Sequence, residues 1–303
     1  MRKDLNFIIV TDSCAFSLEE FEEIKKNPDT HIWPELLPQH IYYEGEDITG
    51  VSTQELSEKI EAKEYLPGSL STASGSIMVA TDIIRRALEF SDARVLVVST
   101  SFFISQSTAN GLQVAVEEVI FCNVEYAGRL DYIDSRSTSH GQSLFLRLLD
   151  EYDGDDPVAF CEKELIPHIF HRFTEPDLTF ALRSGRYSGV AKVFSEALAK
   201  FLSSSKRLPY MYLPSDDKLK IHFGRLYTQK KMLEVWRQDY IETHDDNRVI
   251  IEFAGTYGKE MAEKLREILE AEGAIVSIYW LPPIILAHTG PVIAWHNKAR
   301  LVR

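Results

Sequence analysis

The stretch Asn6–Ser13, NFIIVTDS, holds the pattern that decides the fold: a short apolar run ending abruptly in small hydroxyl and acidic residues. Directly behind it, Leu18 to Lys26 is acidic and amphipathic, as a helix packed on a sheet would be. The same sequence grammar returns twice. Val95 to Val98 runs into Ser99-Thr100-Ser101, and Leu130 to Ile133 runs into Asp134-Ser135. Between these runs lie helical patterns, with Ile77, Ala80, Ile83, Ile84, Ala87 and Leu88 at helix spacing and a second helix near Ala109 to Phe121. Gln142 to Tyr152 is a third. Short β-branched strands alternating with helices imply a parallel sheet with crossover connections and helices on both faces.

Beyond the acidic run Asp150 to Asp156 (DEYDGDD) the pattern changes. Helices are expected near Pro157 to His171, Gly189 to Ser203, Lys230 to Tyr240 and Lys259 to Glu272. Strands are expected at Tyr210 to Leu213, Lys218 to Phe223, Val249 to Phe253 and Ala274 to Tyr279, before a last apolar segment. The expectation is therefore α/β throughout. An N-terminal three-layer α/β/α domain with a parallel sheet spans residues 1–156, and a smaller two-layer α/β domain with a mixed sheet spans residues 157–303. At 303 residues two domains are the ordinary outcome, since single cores stop growing at about this size.

Composition narrows the function. With 33 basic against 46 acidic residues the net charge is −13, unsuited to a nucleic-acid surface, which needs a basic stripe. The most basic stretch, Lys218 to Lys231, reads as a solvated face or a docking surface for a protein. Cys14, Cys122 and Cys161 form no CxxC pair, which suits a reducing compartment. The longest apolar stretch, Tyr279 to Ala287, contains Pro282 and Pro283 and is too short to span a bilayer. A cytoplasmic protein without stable membrane insertion is expected.

In an open parallel sheet ligands bind beyond the carboxyl ends of the strands, where Asp12, Ser13 and their counterparts lie. The same residues also suit helix N-caps. A second cluster, Ser69 to Ser76, holds Ser71, Thr72 and Ser74 just before a helix, as cap chemistry or as donors to an anion. The chain lacks GxSxG, Walker, GxGxxG and HExxH signatures. Gly255 to Lys259 has the wrong spacing for a phosphate loop, and His168 and His171 lack the companions of a metal site. No cofactor and no metal are expected. His288-Thr289-Gly290-Pro291 closes an apolar approach and suits either a structural turn or a polar end to a greasy cavity.

Together these segments resemble the DegV family of fatty-acid-binding proteins, in order along almost the whole chain. Thr11-Asp12-Ser13 is similar to the family's TDS strand end, and His40 to Tyr43 with Gly45 to Thr49 to the segment that follows it. Thr72 to Ser76 is similar to the TSQPS loop, Ile104 to Ser107 to LSGT, and Asp134-Ser135 with Ser139 and Gly141 to DS…S.G. Leu182 to Ser188 is similar to LKxGGRIS, and His288 to Pro291 to HTGP. Ala73, Gln106 and Val292 depart from those patterns.

The resemblance implies the EDD fold and one long-chain acyl group buried between the two domains. Its carboxylate would be held by Thr72, Ser105, Arg186 and His288, with Asp12, Ser13, Ser71, Ser74 and Thr289 as candidates for the pocket rim. It also implies a non-catalytic protein that presents the acid to a separate ATP-dependent fatty-acid kinase. Burying a C16 chain contributes about 12 kcal/mol gross, which an unpaired carboxylate would largely cancel, so the hydroxyls and the cation are required. Two alternatives stay open: a serine-type acyl hydrolase with Ser105 or Thr72 as nucleophile and His288 as base, and a carrier of a different lipid without a kinase.

Overall fold

The computed structural model describes residues 5–66, 68–102, 104–175, 207–213 and 220–299. The chain forms two compact units that do not divide at one cut. The first comprises Met1–His40 and Ala73–Pro167, the second Ile41–Thr72 and His168–Arg303. The single boundary expected at Asp156 is thus replaced by three crossings, two of them inside strands β2 (Gln39–Tyr43) and β4 (Leu70–Ser74). The acidic run does end a helix, but the chain stays with the first unit through Pro167.

In the first unit β1 (Phe7–Thr11), β5 (Arg94–Ser99) and β6 (Leu130–Asp134) form a parallel sheet in the order β1-β5-β6. Residues Ile32 and Leu37 add parallel bridges along the outer edge of β1. Every residue of β1 is buried, as is expected when both faces of a parallel sheet are covered. On one face Ile8, Val10, Val95 and Val97 meet Ile83, Ile84 and Leu88 of α3 (Ile77–Phe90) and Leu112 and Val116 of α4 (Gln106–Cys122).

The remaining helices of this unit are α1 (Leu18–Ile24), α5 (Ser139–Asp150) and α6 (Pro157–Phe160). α1 is tied to α5 by the buried Glu20. Its carboxylate takes Ser143 Oγ at 2.8 Å and Arg147 Nη2 at 2.6 Å, and lies 2.9 Å from His140 Nε2. Burial alone raises the Glu20 carboxyl. The His140 imidazole and the Arg147 guanidinium outweigh it and hold the group below the usual carboxylate range.

The second unit contains a six-stranded mixed sheet in the order β11-β10-β12-β7-β8-β9. Its strands are β7 (Ile169–Thr174), β8 (Leu208–Leu213), β9 (Lys220–Tyr227), β10 (His244–Phe253), β11 (Ile275–Trp280) and β12 (Ile293–Ala299). Only β10 and β11 pair in parallel, through the crossover helix α8 (Gly255–Ala271); the other pairs are antiparallel. α8 and α7 (Gln229–Thr243) cover Val249, Ile251, Ile293 and Trp295 with Trp236, Tyr240, Met261 and Leu265. Among the described residues the unit also holds two short helices, α2 (Thr53–Glu61) and α9 (Pro283–Thr289), and a short edge strand, β3 (Glu46–Asp47).

One expectation needs correction. The helix near Pro157 to His171 stops after one turn and a π-type segment, Cys161–Leu165, and Ile169–Thr174 is a strand paired with β12 over six residues. The last apolar segment is a helix followed by β12, at the centre of the sheet. The helix expected at Gly189 to Ser203 lies outside the described residues.

β7 and β12 bring His171 opposite His296, with Nδ1 to Nδ1 at 2.9 Å, and His296 Nε2 lies 3.0 Å from Glu252 Oε1 on β10. All three residues are buried. Burial pushes the His171 imidazole well below its ordinary value, and the neighbouring His296 adds to this.

Two outcomes are expected. Glu20→Gln removes one partner of a buried charge network and costs about 3 kcal/mol in urea unfolding at pH 7. The His171 ring stays neutral in the folded chain while an unfolded chain takes up a proton below about pH 6.5. Stability therefore falls as pH drops below that value, by at most about 1.4 kcal/mol per pH unit from this one group. Unfolding curves for the wild type and His171→Leu between pH 7.5 and 5.5 measure that slope, which the variant lacks.

Candidate functional site

The carboxyl ends of β1, β5 and β6 collect the expected polar residues, and several of these already hold the chain's own backbone. Asp12 is fully buried. One of its oxygens accepts the Cys14 amide at 2.9 Å; the other accepts the Thr100 amide at 2.7 Å and lies 3.4 Å from Gln142 Nε2. Burial pushes its carboxyl up, while the Thr100, Cys14 and Gln142 donors pull it back. Asp134 behaves alike, accepting the Arg136 and Phe102 amides at 2.9 and 3.2 Å. Burial raises it too, against those two bonds.

The hydroxyls are also engaged. Thr11 donates to the Val98 carbonyl at 2.8 Å, and Ser13 Oγ accepts the Gln39 amide at 3.1 Å. Asp12 and Ser13, expected at a pocket rim, fasten backbone to backbone.

Ser105 stands at the N-cap of α4, yet its hydroxyl caps no helix amide and pairs with Thr108 Oγ1 at 2.8 Å. Thr108 lines a cleft of the first unit, together with Ser74 at the end of β4, Ser76 before α3, Leu37, Ile77 and Leu112. Ser76 caps α3 through the Met78 amide, 3.2 Å away. Gly75 is fixed in that wall. Its amide donates to the Pro38 carbonyl at 2.9 Å, and a Cβ there would lie 2.3 Å from that same oxygen.

In the second unit β4 carries Thr72, and α9 carries His288 in its last turn. The Thr72 hydroxyl and His288 Nε2 are hydrogen-bonded, and both residues are half-buried. They are 216 positions apart in the chain. Pro282 and Pro283 start α9, and Gly290, at φ +68°, ends it immediately after Thr289. Thr289 Oγ1 is held by the carbonyls of Ile285 and Gly290, both at 3.1 Å, and Ser71 is exposed. Arg186 lies outside the described residues. The structure therefore joins Thr72 to His288, pairs Ser105 with a residue the sequence reading passed over, and ties Thr289 to its own helix. Thr108 was open to detection as the i+3 hydroxyl from Ser105 on a helix.

The Gly255 to Lys259 turn is also explained. The N-terminus of α8 does take an anion, but it is the chain's own: Glu61 at the end of α2 accepts the Thr256 amide at 2.7 Å and the Thr256 hydroxyl at 3.1 Å. Glycine is needed at Gly255 because its backbone, at φ +77°, takes the left-handed conformation that residues with a Cβ rarely adopt. Among the described residues no group of three or more His, Cys, Asp or Glu is placed to hold a metal ion, and no helix is long and apolar enough to cross a membrane.

A family model described as "Uncharacterised protein, DegV family" matches residues 6–295. Among curated proteins no sequence relative is found. Solved structures share the fold. A fatty-acid-binding DegV family protein from Thermus thermophilus is 19% identical with a TM-score of 0.74, covering 98% of this chain and 100% of its own. DegV from Bacillus subtilis, a fatty acid binding protein, is 19% identical at 0.71, covering 97% and 100%. The Fatty Acid Kinase (Fak) B3 protein of Streptococcus pneumoniae, loaded with linoleic acid, is 11% identical at 0.74, covering 98% and 100%.

Gly75→Ala is expected to lower stability by about 2 kcal/mol, because the new methyl group meets a backbone carbonyl rather than a movable side chain. Thermal unfolding monitored by circular dichroism measures the loss; an unchanged midpoint contradicts the close approach.

Proposed function

We propose that this chain, which belongs to the DegV family, binds one long-chain fatty acid and holds its carboxylate through Thr72 and His288, with Ser105 as a further donor. The observation that carries this reading is the Thr72–His288 hydrogen bond, which brings two motifs 216 positions apart into one polar spot. With Nε2 protonated, His288 donates to the Thr72 oxygen and leaves the Thr72 hydroxyl proton for a carboxylate. A hydroxyl aimed at an anion makes the stronger, charge-assisted kind of bond. That relatives of the same fold are described as fatty-acid-binding supports the ligand class.

Arg186 is proposed as the cation of the site on the resemblance of its segment alone. Ser74 is the rim candidate that lines a cleft. The protein is proposed to act without catalysis of its own, in the cytoplasm, handing the bound acid to a separate ATP-dependent kinase. The name of the Streptococcus pneumoniae relative supports a kinase partner. Lys230 and Lys231, exposed at the start of α7, belong to the basic segment proposed to dock it.

A second reading draws on the same hydrogen bond. A hydroxyl beside an imidazole is also a nucleophile beside a base, the minimum for an acyl hydrolase.

One titration separates the two. Delipidated protein is expected to take up a C16 acid, and Thr72→Val or His288→Ala is expected to weaken binding roughly 10- to 100-fold, the worth of one charge-assisted hydrogen bond. Failure of the wild type to bind any C14 to C18 acid contradicts the carrier. Turnover of a chromogenic acyl ester that is lost in Thr72→Val and in His288→Ala favours the hydrolase.

A further inference from the structure

We propose that Asp12 and Asp134 are positioning residues for Ser105: they hang the turn between β5 and α4 from two carboxylates and so fix the hydroxyl offered to the ligand. The inference rests on the carrier reading for its ligand and on the first unit alone for its geometry.

β5 leaves the sheet at Ser99, and the following amides have no strand to pair with. Each finds another acceptor. The Thr100 amide donates to Asp12 at 2.7 Å, the Ser101 amide to the Ser137 carbonyl at 2.7 Å, and the Phe102 amide to Asp134 at 3.2 Å. The Ser101 carbonyl, held by that arrangement, accepts the amides of Ile104 at 3.0 Å and Ser105 at 2.9 Å. The backbone of residues 100–102 thus links the two carboxylates to the Ser101 carbonyl, on which the Ser105 amide rests.

The carboxylates are themselves anchored. Asp12 is held by Cys14 and Gln142, and Asp134 by the Arg136 amide in a turn where Arg136 takes the left-handed backbone conformation, φ +51°. A carboxylate is the side chain this requires, since each of its two oxygens takes a backbone amide, and an Asn would turn its NH2 toward one of them. A site whose donors are fixed before the ligand arrives loses less conformational entropy on binding. This gives the acid and hydroxyl residues at the three strand ends a structural task. They build the platform beneath one hydroxyl.

A double-mutant cycle tests the proposal. Ser105→Ala is expected to weaken binding of a C16 acid about 10-fold. Asp134→Asn is expected to weaken it about 5-fold in the wild type and less than about 2-fold when Ser105 is already Ala, because Asp134 acts through Ser105. Equal losses in both backgrounds, no loss at all, or a Ser105→Ala protein of unchanged affinity overturns it. Asp12→Asn is run alongside; Asp134, less deeply buried, supplies the result if Asp12→Asn does not fold.

Hydrogen exchange in the ligand-free protein gives a second readout. Amides of residues 100–102, 104 and 105 are expected to exchange faster in Asp134→Asn while those of α3 do not change; unchanged exchange at those five residues overturns the proposal. This arm separates the two failures, since a wild type that binds no acid removes the carrier reading while exchange still decides the positioning.

Discussion

The buried carboxylate of Asp12 is the constraint on which the first unit depends. A parallel sheet covered on both faces has no polar surface of its own, so the backbone donors released where its strands end must be satisfied inside the protein. Asp12 satisfies two of them and meets a side-chain amide as well. Desolvation works against the charge, and the three donors oppose desolvation. The result is a closed polar core in which β1, β5 and α5 are joined by one residue.

The second unit solves the corresponding problem with different chemistry. Arg172 on β7 lies buried beside Trp295, with its guanidinium carbon 4.5 Å from the ring centroid, and donates to Asn297 and Thr243 at 3.0 and 3.1 Å. His171, one residue earlier and on the other face of the sheet, faces His296 and Glu252. At the N-terminus of α8 the Glu61 carboxylate takes the place an outside anion would fill. Arg172 and Glu252, the buried members of this set, are each hydrogen-bonded or paired, as burial requires, whereas Glu61 is exposed.

The sequence made the apolar strands of the first unit legible because fully buried strands leave continuous β-branched runs, and Ile8, Val10, Val95 and Val97 lie in such runs. β7 was hidden because Ile169–Thr174 follows a helical turn without a break and carries His171 and Arg172, whose burial depends on partners more than 70 residues away. β12 was hidden for the same reason: His296 and Asn297 look like surface residues until Glu252 and Arg172 are placed beside them. At the candidate site, residue types were legible and depth was not. Thr72 and His288 were read as site residues from their motifs, and the hydrogen bond between them appears only in the fold. Asp12 and Ser13 were read as rim residues because acids and hydroxyls at strand ends suit ligands and buried backbone equally well.

The central claim, that the chain carries a fatty acid, is tested most directly by native mass spectrometry of the purified protein, followed by extraction of whatever is bound. The account predicts one adduct per chain with the mass of a C14 to C18 fatty acid, recovered as the free acid. Protein with a different lipid as its single adduct, or with no adduct at all, contradicts it.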